Sequence, residues 1–189
     1  MRVWLIRHGT TRLGAEKRYQ GALDEGLSDT GRAALKQTAF APARVYASPL
    51  LRARETAAIL FPAAEQIVVP DLREMDFGIF EGRGWWEMEQ DEDYRAWVDG
   101  GCSGRCPGGE NRAEYTVRVC AAVEKLLQTE EDELVIVAHG GTQMAVLERW
   151  GRPSREYWQW QRPCGCGWRL DYDKTQDCVT VLREVSFLK

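Results

Sequence analysis

Histidine occurs only twice in this 189-residue chain, and both copies stand at the same kind of position. His8 directly follows the apolar residues 3–6 and Arg7, and His139 directly follows the apolar residues 134–138. Such runs are typical of buried strands in a parallel sheet, whose carboxyl ends bind ligands in open α/β folds. Imidazole also suits nucleophilic attack and proton transfer near neutral pH. The sequence therefore predicts that the two histidines share one reactive site.

Two arginines close to predicted strand ends add positive charge to that site. Arg7 precedes His8, and because neighbours on a strand point to opposite faces, both reach one site only if the chain turns at Gly9. Arg52 lies in the first turn of a helix predicted to start at Ser48-Pro49, where a cation opposes the helix dipole. A bound anion would reverse that penalty. Two guanidiniums and two imidazoles suit a phosphate group.

The loop after the third predicted strand supplies candidate acids. A carboxyl group at the same edge of the sheet is able to protonate a leaving group. The pattern does not choose among four candidates, which are Asp71, Glu74, Asp76 and Glu81. The sequence therefore predicts a proton donor in this loop without naming it.

Strands and helices alternate along the chain, which predicts one α/β domain over residues 1–189. We expect a three-layer α/β/α sandwich whose sheet is mainly parallel with an antiparallel edge strand, and a helical and loop cap insertion at about 78–110. The predicted strands are 3–6, 44–47, 66–69 and 134–138, with antiparallel additions at 167–171 and 179–183. The predicted helices are 29–40, a helix from its Ser48-Pro49 cap to 60, 83–98, 110–128 and 142–150.

The composition, 44% hydrophobic and 29% charged, is that of an ordinary globular protein. A net charge of −4 gives no support for nucleic-acid binding, and no stretch is long enough to span a membrane. Because the first predicted strand follows Met1 directly, we expect no signal peptide and a cytoplasmic location. The sequence leaves open whether the protein is a monomer or a homodimer.

Six cysteines include two closely spaced pairs. Neither Cys102 with Cys106 nor Cys164 with Cys166 has the C-x2-C spacing of a zinc ribbon, and no histidine lies near them in sequence. We expect reduced thiols that pack rather than react. A zinc site and a regulatory disulfide are the alternatives, and the glycine-dense residues 100–109 are a candidate mobile rim that such a disulfide would gate.

The candidate residues lie in four segments: Arg7-His8-Gly9, residues 48–57, residues 72–78 and Ala138-His139-Gly140-Gly141. Smaller segments add to them, namely Gln20-Gly21, residues 27–31 and residues 107–110. In this order and at these separations, the set resembles the signature segments of the histidine phosphatase (phosphoglycerate mutase-like) superfamily. The short length, the opening up to His8 and residues 77–97 are most similar to the α-ribazole phosphatase branch.

That resemblance implies a hydrolase that acts on a small phosphate monoester and needs no metal or other cofactor. His8 would be the nucleophile that becomes a phosphohistidine, and Glu74 would protonate the leaving alcohol and then assist water. The groups implied to surround the phosphoryl oxygens are Arg7, Arg52 and His139. The residues implied to bind substrate are Thr11, Gln20, Gly21 and Gly140.

One position departs from the family pattern. Many members carry an asparagine where this chain has Gly14, so one phosphate donor is missing. We expect Thr11 or Gln20 to take its place, because both carry side-chain donors near the same loop.

Two other functions fit the same residues. Phosphoglycerate mutase-type phosphoryl transfer is one, and the short segment between Phe80 and Glu110 argues against it. A non-catalytic phosphate-binding scaffold is the other, and the presence of every implied catalytic residue argues against it. Eight tryptophans add a hint about substrate, since a few of them could stack on a flat ring such as that of α-ribazole 5′-phosphate, whereas core packing is the alternative.

Overall fold

The computed structural model describes all residues, 1–189. One seven-stranded sheet runs through the chain in the order β3-β2-β4-β1-β6-β7-β5. Its strands are β1 (Arg2–Arg7), β2 (Arg44–Ala47), β3 (Glu65–Val68), β4 (Glu133–Ala138), β5 (Gly151–Arg152), β6 (Cys166–Asp173) and β7 (Cys178–Ser186). The helices are α1 (Arg12–Ala15), α2 (Asp29–Ala34), α3 (Leu51–Leu60), α4 (Glu92–Asp99), α5 (Arg112–Leu127) and α6 (Gly140–Trp150).

Hydrophobic side chains form a core on each face of the sheet. Along β1, Val3 and Leu5 pack into the larger cluster, whereas Trp4 and Ile6 pack into the smaller one. This alternation is what a strand buried on both faces requires. The predicted three-layer α/β/α architecture is therefore confirmed.

The sheet has a parallel half and an antiparallel half. Strands β1, β2, β3 and β4 are parallel to one another, while β6 runs antiparallel to both β1 and β7. The antiparallel part is thus a hairpin, and the two-residue β5 lies outside it, parallel to β7. No helix is long and apolar enough to cross a membrane.

Helix α2 ends at Ala34, so the predicted extension to residue 40 is wrong. Leu35 is extended, with ψ of 143°, and forms an isolated antiparallel bridge with Leu188. The N–H of Lys36 donates to Phe187 O at 2.8 Å. The carboxyl-terminal segment therefore hydrogen-bonds the backbone groups that a longer helix would pair within itself.

Helix α3 begins at Leu51, and the prediction that Ser48 caps it with Pro49 in the first turn is wrong. Its N-cap, Leu50, makes no side-chain cap bond. The Leu51 N–H donates instead to Asp24 Oδ1 at 2.6 Å, which satisfies one of the free donors at the helix start. Ser48 is thereby free for a different contact, described below.

The predicted helix over 83–98 is two elements, a 3-10 turn at Trp85–Glu87 and α4. Asp91 separates them, because its side chain caps α4 by accepting from Tyr94 N–H at 3.3 Å. Smaller shifts move the start of α5 to Arg112 and the start of α6 to Gly140. The second shift matters for function, since it places the first turn of α6 directly after a histidine.

Candidate active site

The two histidines meet because their strands are paired in register. Arg7 of β1 lies opposite Ala138 of β4, so His8 and His139 follow at the same edge of the sheet. The His8 N–H donates to Ala138 O at 3.0 Å, and the two imidazole centroids are 5.3 Å apart. Both side chains are buried.

His8 is held as a neutral imidazole with one nitrogen available. Its Nδ1–H donates to Gly9 O at 2.7 Å, which leaves the lone pair on Nε2. Burial lowers the pKa of His8 well below its ordinary value, and the charges of Arg52 and Arg7 lower it further. The Gly9 N–H donates to Thr56 Oγ1 at 2.9 Å and fixes the turn. A neutral imidazole with a free Nε2 is a competent nucleophile.

His139 is held by Ser48, the side chain that does not cap α3. The Ser48 Oγ accepts from Leu50 N–H at 3.3 Å, so its hydroxyl proton is free to bond His139 Nε2, 2.7 Å away. The proton of neutral His139 then lies on Nδ1, which is buried and makes no hydrogen bond. Burial, followed by the charge of Arg52, lowers the pKa of His139 well below its ordinary value.

Both predicted arginines are anchored by part of the guanidinium only. Arg7 Nη1 donates to Arg162 O at 2.9 Å. Arg52 is fully buried, and its Nη1 and Nη2 donate to Leu23 O at 2.7 Å and Gly21 O at 2.8 Å. The Nε atoms of both arginines are buried without a hydrogen-bond partner. Each side chain is therefore fixed in place and still has an N–H group without a hydrogen-bond acceptor.

The reaction centre, which we define as Arg7, His8, Arg52, Glu74 and His139, concentrates unpaired nitrogens. Six buried side-chain nitrogens of the protein lack a partner, and three of them are Arg7 Nε, Arg52 Nε and His139 Nδ1. Buried polar groups in folded proteins are nearly always paired. Three such donors near a neutral histidine suit an oxyanion. Arg7 lines the cavity with His8, whereas Arg52 and His139 are fully buried and do not line it.

Glu74 lies beside the first turn of α6. Its Oε2 accepts from Gly141 N–H at 3.1 Å, and its Oε1 accepts from Met75 N–H at 3.0 Å. It borders the same cavity as Arg7 and His8. Its carboxyl group is thus at the position that a proton donor to a leaving group would take.

The other three candidate acids have different surroundings. Asp71 is exposed, with 54% of its side chain accessible. Asp76 Oδ1 accepts from Gly78 N–H at 2.8 Å, and the two oxygens of Glu81 accept from the backbone N–H groups of residues 22 and 23. None of the three lines the cavity, so the structure separates Glu74 from the alternatives that the sequence left open.

Of the four predicted substrate-binding residues, Gln20 and Gly140 lie at the cavity or beside Arg7. The other two, Thr11 and Gly21, hydrogen-bond Gln20 and Arg52 and hold them in place. Gln20 lines the cavity, and buried Thr11 holds it by donating to Gln20 Oε1 at 2.6 Å. Gly140, the first residue of α6, has an N–H without a helical partner, and a Cβ there would lie 3.4 Å from Arg7 Cζ. The Gly21 carbonyl accepts a hydrogen bond from Arg52, and a Cβ added to Gly21 would collide with Met75 O.

The cavity has a volume of about 400 Å³, and aromatic side chains form much of its lining. We call the set Tyr19, Phe77, Trp97, Tyr157 and Trp158 the aromatic wall. Trp160 and Trp168 are fully buried core residues, and Trp85 and Trp86 are exposed away from the cavity. Two tryptophans therefore line the cavity, and the others outside the motifs do not.

All six cysteines are free thiols. Cys102 and Cys164 line the cavity, whereas Cys106 is buried. Burial raises the pKa of the Cys106 thiol to about 12 and also raises that of Cys102, so both are thiols rather than thiolates near neutral pH. No group of three or more His, Cys, Asp or Glu side chains is arranged to hold a metal ion.

Sequence reasoning missed three residues of this region. Ser48 was predicted to cap a helix, so its contact with His139 was not foreseen. Gln161 lines the cavity beside Gly140, and Tyr115 lies next to Glu74; both come from segments with no recognisable motif. Only the folded chain reveals these neighbours.

A family model described as the histidine phosphatase superfamily (branch 1) matches residues 3–184. The chain belongs to the histidine phosphatase superfamily. The resemblance of the sequence motifs is thereby confirmed, and the set of residues that meets at the sheet edge is the one carried by those motifs.

Similar proteins of this superfamily differ in the reaction that their names describe. The "Probable phosphoglycerate mutase GpmB" of Enterobacter sp. (strain 638) is 35% identical over 150 residues, covering 74% of this chain and 70% of that protein. The crystal structure of the alpha-ribazole phosphatase from Shigella flexneri has a TM-score of 0.79 and 26% identity, covering 96% and 95% of the two chains. A phosphoglycerate mutase structure from Thermus thermophilus has a TM-score of 0.76 and 28% identity, covering 98% and 99%.

Proposed function

We propose that this protein is a metal-independent phosphomonoesterase that works through a phosphohistidine on His8. The observation that carries the proposal is the set of three buried, unpaired nitrogens around a neutral His8 with a free Nε2. Phosphoryl transfer asks a protein mainly to position the group and to stabilise charge on its oxygens. The reaction centre offers those functions without a metal ion.

In the first step, the lone pair of His8 Nε2 attacks phosphorus. A P–N bond forms as the bond between phosphorus and the ester oxygen breaks, and the Glu74 carboxyl group gives its proton to the leaving alkoxide. Arg7, Arg52 and His139 donate hydrogen bonds to the phosphoryl oxygens, where negative charge is concentrated in the transition state. The Gly140 N–H adds a donor at the positive end of α6.

In the second step, the same groups hydrolyse the phosphohistidine. The Glu74 carboxylate takes a proton from water as the water oxygen attacks phosphorus, the P–N bond breaks, and inorganic phosphate and neutral His8 are formed. Glu74 thus serves as acid and then as base, as microscopic reversibility requires when one group faces both the leaving alcohol and the entering water.

For the substrate, we propose a small phosphate monoester with a planar ring, and α-ribazole 5′-phosphate is the leading candidate. The support is the aromatic wall on the cavity and the alpha-ribazole phosphatase among similar structures. This assignment would place the enzyme in cobalamin biosynthesis. The cytoplasmic location and the oligomeric state stay predictions and are independent of it.

Phosphoglycerate mutase activity is the second candidate, because a relative 35% identical bears that name. A mutase must hold two phosphate groups. Outside the reaction centre, the cavity offers Arg18, which already pairs with Glu16 and Glu87, and Arg112, whose guanidinium stacks 4.9 Å from the Tyr157 ring. This charge distribution favours one phosphate group and therefore hydrolysis.

The deciding experiment is a panel of phosphate monoesters assayed with a chelator present. It contains α-ribazole 5′-phosphate, 3-phosphoglycerate, phosphoserine, sugar phosphates and nucleotides, with mutase activity measured with and without a bisphosphate primer. We expect phosphate release, with the highest kcat/KM for the ring-bearing ester. Isomerisation that depends on the primer would support the mutase, and binding without turnover of any ester would support a scaffold.

A further inference from the structure

Helix α5 contacts the backbone of the loop that carries Glu74. Arg118 on this helix donates from Nη1 to Asp71 O at 2.9 Å and to Arg73 O at 3.0 Å, and from Nη2 to Glu74 O at 3.5 Å. A single guanidinium thus binds three carbonyl groups within four residues. The side chain is only 13% exposed, and its bonds to Arg73 O and Glu74 O are partly shielded from water.

Glu110 completes this support from the other end of the loop. It pairs with Arg118 through two bonds, Nε to Oε1 at 3.0 Å and Nη2 to Oε2 at 2.7 Å. It also accepts from Asp76 N–H at 3.0 Å, and its own N–H donates to Asp76 O at 2.9 Å. The Arg118–Glu110 pair therefore fixes the loop on both sides of Glu74.

Tyr115, one turn before Arg118 on α5, brings its hydroxyl group close to the Glu74 carboxyl group. A Cβ added to Gly141 would collide with Glu74 Oε1 and would lie 2.7 Å from the Tyr115 hydroxyl oxygen, so both oxygens border the same small space. The hydroxyl also lies 3.3 Å from Thr142 Oγ1. Burial raises the pKa of Tyr115 well above its ordinary value, and the Glu74 carboxylate raises it further. Tyr115 is therefore a neutral donor.

We propose that Tyr115 and Arg118 are positioning residues for proton transfer by Glu74, Tyr115 acting on its carboxyl group and Arg118 on its backbone. The inference rests on the proposed role of Glu74 as acid and base. Two N–H groups, those of Met75 and Gly141, bond the carboxyl group, and the Tyr115 hydroxyl lies beside it. With this support, Glu74 keeps the orientation that reaches the leaving oxygen through both steps.

The test compares two leaving groups. An alkyl monoester such as glycerol 2-phosphate needs its leaving oxygen protonated, whereas 4-nitrophenyl phosphate leaves as a stable anion and needs little help. We expect Tyr115→Phe to lower kcat/KM for the alkyl ester about tenfold, which corresponds to about 1.4 kcal/mol, and to change it less than twofold for the nitrophenyl ester. KM for both esters should change little, because the phosphate contacts are intact.

Tyr172→Phe is the matched control. Tyr172 is also a buried tyrosine whose hydroxyl is hydrogen-bonded, donating to Asp177 Oδ1 at 3.0 Å, but it lies outside the cavity. Removing that hydroxyl should leave both esters within twofold of the wild type. Equal losses for both esters in Tyr115→Phe would show a general structural role and would overturn the proposal.

A double-mutant cycle separates this proposal from the proposed function. If Tyr115 acts through Glu74, adding Tyr115→Phe to Glu74→Gln should cause no further loss for the alkyl ester. A full tenfold loss in that background would overturn the positioning role. If Glu74→Gln itself has no effect, the assignment of Glu74 as acid fails instead, so the two failures are distinguishable.

Arg118→Lys tests the backbone support. A lysine keeps the charge but cannot bond Glu110 and three carbonyl groups together, so we expect about a tenfold selective loss for the alkyl ester. Arg149→Lys is the control, since Arg149 of α6 pairs with Glu124 of α5 at an exposed site. Circular dichroism and thermal melting establish folding. A folded Arg118→Lys enzyme with wild-type preference between the two esters would contradict the role of Arg118.

Discussion

The reaction centre and one part of the aromatic wall, the rings of Tyr19, Phe77 and Trp97, satisfy their polar atoms in opposite ways. In the wall, Tyr19 shares a hydrogen bond with Tyr94 at 2.9 Å, and Trp97 Nε1 donates to Gly104 O at 3.1 Å. The rings of Tyr19, Phe77 and Trp97 pack edge to face, with centroids 5.3 to 6.2 Å apart. The polar atoms of these three rings are all hydrogen-bonded within the protein, whereas the reaction centre has unpaired donors that a bound anion would satisfy.

In the proposed mechanism, the two regions control different quantities. The unpaired buried donors would act on the phosphoryl group, which is common to all substrates and changes charge distribution during the reaction. Satisfied rings offer apolar area to the rest of the substrate, which stays the same in the ground state and the transition state. Changes in the centre should therefore alter kcat, and changes in the wall should alter KM.

Removal of the nucleophile should give the largest effect. We expect His8→Ala to lower kcat by about 10⁴-fold or more, because the covalent route disappears and the remaining groups only bind phosphate. Phosphate release, measured beside circular dichroism to establish folding, checks this. Trapping with a ³²P-labelled ester should label the wild-type protein and leave the variant unlabelled. Retention of full activity would rule out His8 as the nucleophile.

Removal of the proton donor should come next. Glu74→Gln keeps the shape of the side chain but cannot lose or gain the catalytic proton, so we expect kcat/KM for an alkyl ester to fall about 10³-fold. The loss for 4-nitrophenyl phosphate should be much smaller. Asp76→Asn is the comparison, since Asp76 belongs to the same loop but lies outside the cavity wall. Equal activity of the two variants would place the proton donor elsewhere.

A change in the aromatic wall should have a modest effect on KM. Trp158 lines the cavity and is 54% exposed, so its ring is accessible to a substrate. We expect Trp158→Ala to raise KM for a ring-bearing ester about tenfold, the size of one lost stacking contact, with kcat little changed. Trp85→Ala, also about half exposed but away from the cavity, is the control. Equal KM changes for ring-bearing and alkyl esters would contradict stacking by Trp158.

A pH series should change stability rather than kcat or KM. Because the pKa of both His8 and His139 is lowered in the folded state, below about pH 6.5 the unfolded chain binds protons that the folded chain does not. The free energy of unfolding should therefore fall as pH falls, by about 1.4 kcal/mol per pH unit for each histidine.

Urea denaturation between pH 7.5 and 5.5 measures this slope, and His139→Asn should reduce it. The same pKa direction predicts that His8 is an unprotonated nucleophile near neutral pH. An unfolding free energy that is flat over this range would mean that the two imidazoles titrate normally in the folded protein.

How much of the fold and of the candidate site was predictable depends on whether the residues that decide each feature are close together in the sequence. Most of the reaction centre was predictable because its members end a strand, follow one or open a helix, and parallel strands end at a common edge. Glu74 was not, since the pattern left four candidate acids open and only the family resemblance named it. Ser48 was misread because its local cap signal is real, but Asp24 from a distant loop supplies the cap instead. The end of α2 depends on pairing with Leu188, and the support of Glu74 depends on α5. Such contacts join residues far apart in sequence, which local patterns do not report.

The pairing of Arg7 with Ala138 constrains how the two central strands can evolve. Inserting or deleting one residue within β1 or β4 would move one imidazole about 3.3 Å along the edge and turn it towards the opposite face of the sheet. A loop in the same protein can change length without that consequence. We therefore expect relatives to tolerate insertions around residues 78–110 while keeping the lengths of these two strands unchanged.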